Sequence, residues 1–467
     1  MSLENTHFGA GTIAEQLRAC HSLFFIGIGG ISMSSLAEIS LFEGYRVGGS
    51  DRNDNAQTKF LSSLGAKIYV GHDASHIKGY DAVIYTVAIG EDNPEYRAAM
   101  DAGLPVISRA DYLGYLMMRY RTRIGIAGMH GKSTCTAMCA HIFAEHADPT
   151  VFCGAELPEF GGSTCRIGRG REHVIFEACE YMDSFLDFTP NIAVILNVDI
   201  DHVDYFENIG QIRRSFLRYA ERTGTDGTVI YNADDRESVI ALEPFGGRRV
   251  TFGIHNRADY EARHIEPLTD GCRFDLYCKG VFVCRLHLPM AGEHSVYNAL
   301  AASSAAILCG VSPETLVHAF ESFRGARRRM EYKGRLGGAT VYDDYGHHPA
   351  EIRATLSAAA SMGYERILCA YQPHTYSRTS GLWREFLEAF SGVDRLYLVD
   401  IYAAREQNIY GVSSSLLAEQ IGERATYCDS FVSLAQTLRE ESRAGDLILI
   451  MGAGDINKTF ELLDLKK

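Results

Sequence analysis

A chain of 467 residues exceeds one compact domain, and at roughly 150 residues per domain three are expected. Hydrophobic residues at 46% and charged residues at 22% can bury several cores, which excludes extended disorder. A formal charge of −14 argues against a nucleic-acid partner, because phosphate-backbone binders cluster Lys and Arg, but it leaves local anion-binding loops open.

The twelve cysteines are scattered without a Cys-x-x-Cys pair and read as reduced thiols. No run of 18 apolar residues occurs, and the N-terminus, with Glu4 and His7, lacks an apolar signal core. A soluble, cytoplasmic protein with no membrane partner is expected.

The first segment alternates strands at 23–28, 46–51 and 82–88 with helices at 31–42, 55–64 and 94–102, and closes near 116–121. Such alternation builds a parallel, doubly wound sheet. Its first strand runs into Gly27-Ile28-Gly29-Gly30-Ile31-Ser32, and Asp51 ends the next strand. Glycines there let a diphosphate approach the backbone while the acid holds a ribose hydroxyl. Taken alone, the loop suits a dinucleotide as well as another nucleoside diphosphate, and Ser32 replaces the third glycine of the dinucleotide fingerprint. Ser50 and the strand end Tyr85-Thr86-Val87-Ala88-Ile89 are weaker candidates for the same ligand.

The second segment predicts strands at 123–127, 174–177, 192–198 and 229–232, an antiparallel hairpin over 273–288 around Lys279-Gly280, and helices at 295–308 and 313–323. Its strongest motif is Gly128-Met129-His130-Gly131-Lys132-Ser133-Thr134, a glycine turn between a strand and a helix that starts at the lysine. In that geometry backbone N–H groups and the helix N-terminus face phosphate, Lys132 reaches the terminal phosphates and Ser133 can ligate Mg²⁺. A nucleoside triphosphate is the expected ligand. Two further strand ends carry Glu177-Ala178-Cys179-Glu180-Tyr181-Met182-Asp183 and Asn197-Val198-Asp199-Ile200-Asp201-His202-Val203-Asp204. Carboxylates and an imidazole at the C-terminal ends of parallel strands lie where doubly wound sheets bind ligands, and Mg²⁺ needs only one or two carboxylates beside the phosphates. Glu180, Asp183 and Asp201 read equally as solvated loop acids. Ala291-Gly292-Glu293-His294-Ser295 leads into a helix containing Asn298, whose amide offers the donor and acceptor that adenine requires, although a capped core helix explains the same residues. The run Arg324-Gly325-Ala326-Arg327-Arg328-Arg329 reads as a linker.

Alternation resumes with strands at 340–343, 366–370, 395–399 and 447–451. Tyr342-Asp343-Asp344-Tyr345-Gly346-His347-His348-Pro349 and Tyr371-Gln372-Pro373-His374-Thr375-Tyr376-Ser377-Arg378 each follow a strand, so both fall at one sheet edge. Arg378 suits a bidentate hold on an α-carboxylate. Paired histidines at such a turn are otherwise metal ligands or turn residues. The architecture is three α/β domains in series, over 1–121, 122–326 and 327–467.

The Gly-x-x-Gly-Lys-Ser-Thr turn, Glu177, the Asp201-His202 pair, the Gly292-to-Asn298 element, the Phe25-to-Ser34 loop and the third segment's clusters, with Asp400-to-Glu406, resemble the Mur ligase family, most of all its alanine-adding members. Met129, Ser32 and Ser295 depart from the family's pattern. The resemblance implies a Rossmann-like UDP-binding domain, a P-loop ATPase-type domain and a Rossmann-like amino-acid domain. It implies ATP-dependent ligation of L-alanine to the carboxylate of UDP-N-acetylmuramate through an acyl phosphate, in peptidoglycan precursor synthesis.

By matching position, the catalytic residues are Lys132, Glu177 and His202, and Ser133, Glu177 and His202 hold Mg²⁺, for which Mn²⁺ can substitute. ATP contacts are Gly128 to Thr134 with His294 and Asn298; the UDP-sugar contacts are Gly27, Gly29, Gly30, Ile31, Ser32 and Asp51; the amino acid meets Tyr345, His374 and Arg378. No lysine occurs over 208–222, so a carbamylated lysine of the wider family is not expected. A monomer or weak homodimer is expected. Alternatives are a recycling ligase of the same family that adds a tripeptide, a non-catalytic regulator holding UDP-sugar and ATP, and, from the first loop alone, a dehydrogenase.

Overall fold

The structure is a computed structural model that describes residues 3–161, 163–202, 205–268, 271–404 and 406–466. Asp204 and Arg405 therefore lie outside the described residues. Three sheets follow one another along the chain.

The first has five parallel strands in the order Lys67–Val70, Arg46–Asp51, Ser22–Ile26, Ala82–Tyr85, Val106–Ser108. Strand order reverses beside Ser22–Ile26, and the crevice beyond a strand at such a point is the ligand position of doubly wound sheets. The sequence leaves Lys67–Val70 and Val106–Ser108 unread because each is short and lacks a long apolar run.

The middle sheet has ten strands. A parallel centre runs Arg248–Gly253, Thr228–Asn232, Ile192–Ile195, Thr122–Ala127, His173–Glu177, Thr150–Leu157. Antiparallel strands extend both edges: Ser163–Arg166 on one, Gly271–Cys278 and Val281–Leu288 on the other. The hairpin read around Lys279-Gly280 is present, and Tyr260–Leu268 lengthens it into a meander. Tyr260–Leu268 escaped the sequence reading because Glu261, Arg263 and Glu266 interrupt its apolar pattern.

Central strands bury both faces, so successive residues enter different cores. Val174 and Phe176 join one cluster and Ile175 the other; Ala193 and Ile195 face away from Val194. The first of these cores also contains Leu23, Phe25 and Tyr112, so the first two sheets share apolar packing rather than being merely tethered. On the opposite face, Lys132–His146 packs against Glu293–Leu308 through residues such as Met138, Phe143 and Leu300.

The third sheet runs Glu331–Leu336, Ala339–Asp344, Asp446–Met451, Arg366–Tyr371, Arg395–Leu398, Ala425–Tyr427, parallel except for the first strand. Its two faces bury Ile367, Cys369 and Tyr371 on one side and Leu368 and Ala370 on the other. Among the described residues no helix is long and apolar enough to cross a membrane, and all twelve cysteines are free.

Candidate functional site

Thr122–Ala127 lies between His173–Glu177 and Ile192–Ile195, so the turn that follows it is walled by the ends of both neighbours. Asn197 clamps the turn: its Oδ1 accepts from His130 N (2.9 Å), its Nδ2 donates to His130 O (2.9 Å), and its carbonyl accepts from Met129 N (3.3 Å). Gly131 has φ +84, and a Cβ there would meet Asn298 Oδ1 at 2.6 Å. Glycine is thus required by backbone conformation and by the approach of the second helix. Helix Lys132–His146 opens at the lysine, as its sequence implies, with Gly131 as its N-cap.

Lys132 Nζ donates to Gly128 O (2.6 Å), to Met129 O (3.2 Å) and to both oxygens of Glu180 (3.1 and 3.0 Å). Glu180 Oε1 also lies 3.1 Å from His202 Nε2. Glu180 is fully buried, so the solvated-loop reading of this acid is corrected: it joins Lys132 to His202. Burial opposes charge on both partners, but the pair prevails, raising Lys132 and lowering Glu180. His202 itself sits at φ +51, a left-handed conformation, and its carbonyl accepts from the backbone N–H groups of Tyr205 (2.8 Å) and Phe206 (2.9 Å).

Glu177 Oε1 accepts from Gly154 N (2.5 Å) and Cys153 Sγ (3.4 Å), whereas no described residue donates to Oε2. Gly154 permits this approach, since a Cβ would stand 2.7 Å from Oε2. Ser133, Glu177, Glu180 and His202 line one cleft of about 740 Å³ with Lys132, Ile31, Tyr345 and Arg327 to Arg329. A hydroxyl and a carboxylate oxygen with no donor among the described residues suit Mg²⁺ or Mn²⁺, and the imidazole of His202 lines the same cleft.

A second cavity of about 260 Å³ adjoins at Gly131, Arg329 and Glu351 and is lined by His294, Tyr297 and Asn298, with Met290, Ala350 and Ala354. Asn298 and His294 therefore sit beside the phosphate turn, in a chamber closed by the third sheet's first long helix, Pro349–Ser361. Burial, with Arg329 nearby, pushes His294 down to about 4, leaving it neutral.

Tyr345 and His374 flank His347, with ring centroids 5.7 Å from it on each side. Arg378 Nη1 lies 3.1 Å from His374 Nδ1, and its Nε donates to Asp201 Oδ1 at 3.0 Å. The three predicted amino-acid contacts thus converge. Asp201, weighed as a loop acid, is instead 5% exposed and held well below the usual carboxylate range: burial opposes this, but His202, Arg378 and His348 outweigh it.

The paired histidines are turn residues. His348 N-caps Pro349–Ser361, with Nδ1 accepting from Ala350 N (3.2 Å) and Nε2 donating to Ile200 O (3.1 Å). His130, Asp199 and His348 lie close enough for a metal. With both His348 nitrogens engaged, however, that cluster acts as a contact between the middle and third sheets. His130 is pushed up to about 9; burial works against this, but Asp199 and Glu351 hold its proton.

In the first sheet, Gly27 has φ +82, Gly27 N and Ile28 N donate to Ser50 O, and Gly30 caps helix Ile31–Phe42. Asp51 Oδ2 accepts from Gly29 N (2.9 Å) and its Oδ1 from Asn53 N (3.3 Å), so it braces the loop. Ser32 accepts from Arg109 Nη1 (3.0 Å). Of this loop only Ile31 lines the large cleft.

The sequence reading named Asn197 only as part of a strand end, missed Arg109 and took Arg329 for linker. Arg329 lines both cavities, and Arg328 donates to Gly452 O, so the basic run is a wall of the site. Glu351 had a legible signal: it stands three residues after the N-cap His348 and closes a capping box.

Models of the Mur ligase family match all three segments: its catalytic domain over residues 23–121, its middle domain over 126–306 and its glutamate ligase domain over 328–454. UDP-N-acetylmuramate--L-alanine ligase from Caldanaerobacter subterraneus subsp. tengcongensis is 43% identical, covering 96% of this chain and 97% of its own. The protein of the same name from Clostridium novyi is 42% identical over 94% and 96%. The UDP-N-acetylmuramate-alanine ligase structure from Thermotoga maritima superposes with a TM-score of 0.80 at 27% identity, covering 94% of this chain and 97% of that one. A murein peptide ligase from Psychrobacter arcticus shares the fold, with a TM-score of 0.70 at 23% identity over 95% and 98%. With matches in all three sheets and near-complete coverage by its relatives, the chain belongs to the Mur ligase family.

Proposed function

We propose that this chain is an ATP-dependent ligase that joins L-alanine to the carboxylate of UDP-N-acetylmuramate, in the cytoplasmic synthesis of peptidoglycan precursors. The observation that carries the reading is one continuous cleft: Lys132, Ser133, Glu177 and His202 from the middle sheet face Tyr345 from the third and Ile31 from the first. The turn before Lys132, the candidate cation ligands and Tyr345, one of the three expected amino-acid contacts, line this cleft, which supports the reading. The three segments 1–121, 122–326 and 327–467 then bind UDP-sugar, ATP and amino acid respectively.

A carboxylate is a poor electrophile, so amide formation in water requires prior activation. One oxygen of the muramoyl carboxylate attacks the γ-phosphorus of ATP, and the β–γ bridging bond breaks to release ADP. Lys132 and the turn's backbone N–H groups stabilise the charge gathering on the transferred phosphoryl group. Ser133, Glu177 and His202 would hold a divalent cation, which neutralises phosphate charge when bound. The neutral amine of alanine then attacks the acyl carbon; phosphate leaves, and the nitrogen loses one proton. Arg378 pairs with the α-carboxylate, while Tyr345 and His374 frame the side chain. His374 is neutral near pH 7, because burial and Arg378 push it down to about 4. Asn298 and His294 receive the adenine. Most of the rate comes from positioning three substrates, which supplies about 7–11 kcal/mol in favourable cases.

The test is phosphate release from ATP with UDP-N-acetylmuramate, screened across single amino acids and a free tripeptide. Alanine-dependent release, abolished by Lys132→Ala, is expected. Release with the tripeptide and none with alanine would move the chain to the recycling reaction; NADH turnover in its place would move it to redox chemistry. Nucleotide binding without any release would make it a regulator.

A further inference from the structure

Arg378 stands on the short helix Tyr376–Gly381 of the third segment, yet its strongest partner comes from the middle one. Asp201 Oδ1 accepts from Arg378 Nε at 3.0 Å and from the backbone N–H of His202 at 2.7 Å. The second bond locks the carboxylate against its own loop, so its oxygen is a fixed point for the guanidinium. Asp201 is 5% exposed and the Arg378 side chain 11% exposed, so water does not substitute for the pair.

The arginine's remaining valences are as informative as those used. A guanidinium has five N–H donors. One is spent on Asp201 and one is directed at His374 Nδ1, leaving three without an acceptor among the described residues. Holding Nε fixes the plane of the fork while its terminal nitrogens stay available for a carboxylate, which they can grip in bidentate fashion. Asp201 also supplies the negative charge that a buried arginine requires.

We propose that Asp201 is a positioning residue: it orients Arg378 across the junction of the middle and third segments so that the fork is pre-set for the α-carboxylate of the incoming amino acid. This rests on the reading of Arg378 as the carboxylate contact. The role predicts selectivity in effect. The alanine pocket should suffer and the nucleotide pocket, built on Asn298 and Gly131, should not.

The experiment compares KM values for L-alanine, ATP and UDP-N-acetylmuramate in the full-length wild type, Asp201→Asn, Asp201→Glu, Arg378→Lys and the double variant Asp201→Asn/Arg378→Lys. Thermal unfolding verifies that each is folded. Asp201→Asn is expected to raise the KM for alanine about tenfold or more while leaving that for ATP within about twofold, as befits loss of a charge-assisted bond. Asp201→Glu keeps the charge on a longer arm and serves if the amide variant does not fold; it is expected to raise the alanine KM too. In the double variant the alanine KM should exceed that of Arg378→Lys by less than about twofold, because the two residues act as a unit. An alanine KM unchanged by both Asp201 variants, with Arg378→Lys raising it, overturns the inference and leaves the Arg378 reading intact. Equal increases for alanine and ATP overturn it as well, since they mark a general packing contact. No effect from any of the variants removes the Arg378 reading itself.

Discussion

Glu180 holds Lys132 with both carboxylate oxygens, 3.1 and 3.0 Å from Nζ, at a position with no solvent exposure. Because Glu180 Oε1 also faces His202, one buried acid aligns the lysine of the phosphate turn with an imidazole on the neighbouring strand end. The same neighbourhood makes four outcomes predictable.

Glu180→Gln keeps the shape of this contact and removes its charge. The variant should fold, as judged by circular dichroism, yet lose about 10²-fold or more of alanine-dependent ADP release, the scale expected when a catalytic group is misplaced by an ångström. Turnover at the wild-type rate would show that the carbonyls of Gly128 and Met129 orient Lys132 unaided.

Gly131→Ala forces a left-handed backbone on a residue with a Cβ and drives that Cβ to 2.6 Å from Asn298 Oδ1. A strain of about 1–3 kcal/mol is expected, to be read as a raised KM for ATP with little change for alanine. Asn298→Ala should likewise raise the KM for ATP, while leaving the turn unstrained. Steady-state titration of each substrate separates these effects.

Glu177→Gln replaces the oxygen that no described residue occupies with an amide. The Mg²⁺ concentration for half-maximal activity should rise at least about tenfold, the lower end of what even supporting partners of a metal site contribute. A magnesium titration at saturating ATP measures it, and an unchanged midpoint would remove Glu177 from the ion's ligands.

Stability should fall in mild acid. Burial leads in depressing His294, His348 and His374 to about 4 and His347 to about 3, aided by Arg329 at His294, His130 at His348 and Arg378 at both His347 and His374. Each folded value lies below the unfolded one of about 6.5. The unfolded chain therefore binds more protons below pH 6.5, and the folded state loses ground there. This contribution is complete above about 6.5 and is lost as pH falls through the folded values near 4. Urea midpoints at pH 7.5, 6 and 5 should decline in that order, and a midpoint independent of pH would mean that these imidazoles are charged in the native state.

Much of the fold is legible in local chemistry. Strong apolar runs ending in glycine mark Ser22–Ile26 and Thr122–Ala127, and the lysine-led helix Lys132–His146 follows from its turn. Short or charge-broken strands such as Lys67–Val70 and Tyr260–Leu268 do not announce themselves, because cross-strand pairing, rather than an apolar pattern of their own, holds them in place.

Three α/β segments and the glycine turn before Lys132 were readable from period and spacing within a few dozen residues, whereas the expected cation and amino-acid contacts came from the family resemblance. Which acids are buried, and what they hold, emerges only when the sheets pack together. Glu180 meets Lys132 across 48 positions and Asp201 meets Arg378 across 177, and Asp51 turns inward to brace Gly29. The physical reason is that a carboxylate's role depends on the charge and solvent around it, and those are supplied by strands that meet only after the chain has folded.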